Sequence, residues 1–191
     1  MTRTFACGAL ICALFGGPAC AENAVGPKFA IAESSVEARA FRVLATRIDL
    51  RQPIFVLDTP DAIEVTYAVR QRGGRTLRID PQTLEEIGEP SSYLYPRCSE
   101  REVSAHLTRD GAHLAAADGR EVFVFTSDEH SRAFARVGNG PAVPMTPEGM
   151  SIVGPARAAV KGKYVVGVFV AATDDGFALV ATSMSLFDVQ R

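Results

Sequence analysis

Tryptophan is missing altogether, and the chain has only three histidines among its 191 residues. An aromatic platform of the kind used by sugar and quaternary-amine sites must therefore come from its four tyrosines and 11 phenylalanines. The only asparagines, Asn23 and Asn139, begin no N-x-S/T acceptor, which excludes N-glycosylation. No apolar run reaches the roughly 20 residues that a membrane-spanning helix needs. The 20 basic and 22 acidic residues leave a net charge of −2, which excludes a polybasic nucleic-acid coat and a disordered polyanion. There is no G-x-S-x-G elbow, phosphate loop, H-E-x-x-H or C-x-x-C, so no strong catalytic motif stands out.

What is present begins with the N-terminus. Arg3 is the only charge before Glu22, an apolar run extends from Phe5 to Phe15, and Gly16-Gly17-Pro18 leads into Ala19-Cys20-Ala21. That is the pattern of a secretory signal peptide, with cleavage after Ala21. A lipoprotein reading on Cys20 is weaker, because Gly17 stands where such signals usually carry Leu. Export of the Sec type makes a bacterial periplasmic or secreted location the expectation, with no transmembrane segment left after cleavage. It also removes Cys7, Cys12 and Cys20, so Cys98 is the one remaining thiol and no disulfide framework is expected.

Residues 22–191 read as one α+β domain, mostly antiparallel sheet built of hairpins and meanders, with two short helices. Ser34-Ser35-Val36-Glu37 resembles a capping box, and Val36, Ala40, Val43 and Leu44 keep helical spacing through about Thr46. The alternation of Phe41, Val43 and Ala45 offers a rival strand reading. A second helix is expected from the Ser127-Asp128-Glu129 cap to about Val137. Between Gly138 and Gly162, four prolines and several glycines predict a loop or exposed arm. The final hairpin, Tyr164–Thr173 and Phe177–Val189, is apolar on both faces and reads as interior.

Four arginines cluster near one predicted turn. A three-residue loop of Arg72-Gly73-Gly74 sets Val69 against Leu77 and keeps one sheet face apolar. Gly74 then takes the left-handed position, and Arg70, Arg72, Arg75 and Arg78 project from one exposed tip. Such a tip suits an anionic surface component or an acidic protein of the cell envelope; nucleic acid does not fit an exported acidic domain.

Two weaker constellations carry chemistry. Cys98 is flanked by Arg97 and Arg101, which lower a thiol's pKa, and His106 is the nearest histidine by sequence. His106 and His113, diagonal neighbours across an Asp110-Gly111 turn, could hold a metal with Glu102 as third ligand. The leading expectation is a non-enzymatic binding or assembly module of the envelope, without a cofactor. The alternative is a small exported hydrolase using Cys98 and His106, or a metal on the histidine pair.

Overall fold

The structure is a computed structural model; it describes residues 40–71, 73–93, 107–108, 111–127 and 131–189. The expected signal peptide and the start of the expected first helix lie outside these residues, as do Arg72, Cys98, Glu102 and His106. Thirteen strands and no helix are found among the described residues, arranged as three antiparallel sheets. The α+β expectation, with its two helices, is therefore corrected to an all-β fold.

The central sheet has the order β1 (Ala40–Thr46), β13 (Gly176–Ser185), β12 (Tyr164–Thr173), β11 (Ile152–Lys161). A second sheet runs β10 (Val143–Pro144), β9 (Arg132–Val137), β8 (Glu121–Ser127), β7 (Gly111–Ala115), β6 (Leu107–Thr108). The third is β2 (Phe55–Asp58), β3 (Ile63–Val69), β4 (Gly73–Ile79), β5 (Ser91–Tyr93).

Alternation along β12 and β13 explains how the sheets stack. Val165, Phe169, Val180 and Met184 face one way and pack with Val122, Val124, Ala133 and Ala135 of the second sheet. Val166, Val168, Leu179 and Ala181 face the other way and pack with Ile63, Val65, Leu77 and Ile79 of the third. A strand covered on both sides must be apolar at consecutive positions. The last hairpin meets that demand, and it forms the middle of a three-layered molecule. Its register differs slightly from the one expected from a turn at Asp175-Gly176, which sets Val170 opposite Ala181: Thr173 pairs with Gly176 and Val170 with Leu179, so Asp174-Asp175 makes the turn. The shift moves each partner by two positions, which leaves every side chain on its expected face.

The two expected helices fail for the same reason. In β1, Phe41 and Val43 are exposed while Leu44 is buried and Arg42 reaches the carbonyl of Leu84 at 3.1 Å, a period of two. Pairing with β13 overrides the local helical spacing, and the rival strand reading holds. In β9, Ala133 and Ala135 join the core on one face, while Phe134 stacks on Phe125 on the other at 5.7 Å. A strand buries both sets, and Ser127 pairs directly with Arg132 in place of a helical turn.

The proline-rich segment is built into the sheets. Val143 and Met145 are buried, Ile152 nearly so, and the amide of Met145 donates to the Ala133 carbonyl at 2.8 Å. β11 tolerates Pro155 because it is the outermost strand of its sheet and its register breaks between Val153 and Arg157. Gly154, at φ 76°, supplies the left-handed residue that this bulge needs. Where a loop or exposed arm was expected over residues 138–162, the chain forms a ten-residue strand from Ile152 to Lys161.

Candidate functional site: an arginine-lined cleft

Three chain segments converge beyond the strand ends. The first leaves β1 through Arg47 and Ile48, the second is the β3–β4 turn, and the third is the β12–β13 turn. Backbone bonds sew them together. The amide of Ile48 donates to the Phe177 carbonyl at 3.2 Å, that of Asp49 to Ala68 at 2.9 Å, and that of Arg70 to Arg47 at 3.1 Å. Between them lies a cleft of about 920 Å³ lined by Arg47, Ile48, Val69, Arg70, Gln71, Asp175, Gly176 and Phe177, with Thr46 and Thr173. That volume is within the roughly 300–1,000 Å³ range of small-molecule sites.

The lining is graded. Ile48 is buried and Val69 and Phe177 are half-buried, whereas Arg47, Arg70 and Asp175 are exposed. Apolar surface therefore lies deeper and charge sits at the mouth. Two lining residues also carry left-handed backbone, Arg47 at φ 55° and Gln71 at φ 64°. A side chain in that region costs about 1–3 kcal/mol, which the backbone bonds across the junction must offset.

Most arginines of the described residues are engaged. Arg42, Arg51 and Arg120 pair with Glu86, Asp49 and Asp118, and Arg132 and Arg157 donate to backbone carbonyls. Among the described residues, Arg47, Arg70 and Arg75 make no ion pair or side-chain hydrogen bond, and of these Arg47 and Arg70 line the cleft. The charge of Arg70 is felt by Asp49, which Arg51 already holds through two bonds of 2.7 and 2.9 Å. Those bonds, with the Arg51 amide, hold the Asp49 carboxyl down at about 2; the charge of Arg70 adds to the effect. Two arginines without an ion pair of their own thus line one cleft.

The arginine tip is rearranged relative to the sequence reading. Val69 pairs with Gly73 and Tyr67 with Arg75, so residues 70–72 form the connection and Gln71 takes a left-handed conformation. Of the three expected arginines among the described residues, only Arg70 lines the cleft; Arg72 lies outside them. Arg75 is half-buried opposite Tyr67 on the core-facing side, where burial pushes the Tyr67 hydroxyl up. Arg78 lies on the opposite face, 3.8 Å from Asp61 and 3.9 Å from Glu64. Arg75 and Arg78 thus lie on opposite faces of the third sheet, and neither lines the cleft with Arg70. Arg47 was missed, because its residue type gives no hint that β1 ends beside a turn more than twenty positions away.

The other candidates are only partly placed. His113 is exposed in β7, opposite Phe123, with Nε2 3.6 Å from Glu121. Its proposed companions His106 and Glu102 lie outside the described residues, as does Cys98. No group of three His, Cys, Asp or Glu suited to a metal occurs among the described residues.

Fold and site together define a three-layered all-β protein with a cleft whose mouth carries unpaired guanidiniums. Compared with models of protein families, with curated proteins and with solved structures, the chain matches none.

Proposed function

We propose that the protein is an exported, non-enzymatic binding or assembly module of the cell envelope, and that its cleft receives an anionic group of its partner. The observation that carries this reading is the presence of Arg47 and Arg70, neither in an ion pair among the described residues, in the lining of one cavity. The signal-like pattern before Glu22 supports the envelope as the place of action. An exposed guanidinium facing an anionic surface contributes about 1 kcal/mol and is screened within about 8 Å at physiological salt. Binding is accordingly weak and falls as salt rises.

Co-sedimentation of the processed protein with its own envelope fraction tests this. The protein should pellet at low ionic strength and be released by added salt, and Arg47→Ser with Arg70→Ser should abolish pelleting without changing the unfolding midpoint. Association that survives both substitutions, or that ignores salt, overturns the reading.

A further inference from the structure

We infer that the cleft takes a zwitterionic ligand with an apolar body, a short apolar peptide in chemical terms, rather than a simple anion. The inference rests on the anion-binding reading above and extends it through the remaining lining residues. Asp175 lines the same cavity as Arg47 and Arg70, and among the described residues it too has no ion pair or hydrogen bond through its side chain. A polyanion entering this cleft meets a carboxylate as well as two guanidiniums, so two cations are partly cancelled by one acid. A ligand with one carboxylate and one ammonium satisfies all three. The guanidiniums take the carboxylate, for which their planar fork of donors is suited. Asp175 takes the ammonium.

Beside the charged residues, the half-buried Val69 and Phe177 offer apolar surface, with Ile48 buried behind them. A ligand composed of charge alone leaves that surface in contact with water, while a peptide with aliphatic side chains covers it. The volume of about 920 Å³ accommodates a few residues rather than one small ion. The walls are a preformed junction of backbone hydrogen bonds, which lowers the cost of ordering the site on binding.

Calorimetric titration of the processed protein with leucyl-alanyl-leucine, its C-terminal amide and its N-acetyl derivative tests the inference. The free peptide should bind, and each blocked form should bind about two- to fivefold more weakly, as expected for losing charge-assisted contacts at an exposed mouth. In Arg47→Ser/Arg70→Ser the free acid and the amide should bind alike. In Asp175→Asn the free and acetylated peptides should bind alike, which separates recognition by Asp175 from any general weakening. If the acetylated peptide binds wild type as well as the free one does, the zwitterion inference falls and the anion site stands. If the amide binds as well as the acid, the anion site itself falls. If no peptide binds while salt-sensitive envelope association persists, the peptide inference is overturned and the proposed function is not.

Discussion

Gly167 provides the sharpest test of how the three layers pack. It lies in β12, between Ala158 of β11 and Thr182 of β13. A methyl group there would sit 2.4 Å from Cζ and 2.7 Å from Cε2 of Phe169, and 3.3 Å from Cε of Met145. Phe169 is two residues along on the same face and is 1 % exposed, so its ring has no free volume to move into. Gly167→Ala therefore overpacks the layer between the central and second sheets, at about 1–3 kcal/mol. The backbone of Gly167 is not left-handed, so the alanine gains about 0.5–1 kcal/mol through the unfolded chain. The net expectation is a loss of about 1–2 kcal/mol, or a fall in Tm of about 2–8 °C for a chain of this size. Urea unfolding of Gly167→Ala, Phe169→Leu and the double variant forms a cycle. The double should be about 1 kcal/mol more stable than the sum of the singles, because the smaller side chain vacates the space the methyl needs. A neutral Gly167→Ala, or additive singles, would refute the ring-over-glycine packing.

Further outcomes follow from the third sheet and from the cleft's surroundings. Thr66 and Thr76 are buried and share a 2.7 Å hydroxyl–hydroxyl bond, so Thr66→Val or Thr76→Val alone should cost about 1–3 kcal/mol and the double valine variant close to nothing; equal losses in all three by urea unfolding would contradict the pairing. The Asp49 carboxyl should titrate near 2 by NMR and return toward 3.8 in Arg51→Ala. Its folded pKa is depressed, so its contribution to stability is complete above 3.8 and is lost as pH falls toward 2; an unchanged titration in Arg51→Ala speaks against the ion pair as the cause. Mass measurement of the exported protein should show a chain starting at Glu22 without lipid, and an intact N-terminus or a modified Cys20 contradicts the signal-peptide reading.

Much of the β architecture was visible because burial on both faces leaves a strong mark. Val165 to Val170 and Val122 to Phe125 are continuous apolar runs, and those strands lie inside their sheets. The helices were misread where local spacing and tertiary pairing disagree. Val36, Ala40, Val43 and Leu44 fit a helix, but β1 is ordered by hydrogen bonds to β13, far along the chain. Registers slipped by even steps at both hairpins, since the apolar pattern specifies which face a residue takes and not which partner it meets. The proline-rich segment misled for a related reason: an edge strand with a bulge accepts Pro155, and single-chain composition does not reveal which strand is an edge. The cleft was hardest to foresee. Arg70 was singled out for its charge, while Arg47 and Asp175 reach it only through the meeting of three separate strand ends.

Anion binding in the cleft requires Arg47 and Arg70 to share one anion. NMR observation of the arginine Nε–H groups during titration with acetate examines that directly. The Arg47 and Arg70 signals should shift together along one saturating curve, while those of Arg51 and Arg120, already paired with carboxylates, stay in place. Signals from Arg47 and Arg70 that do not move, or that move no differently from the paired arginines, contradict the cleft as an anion-binding site.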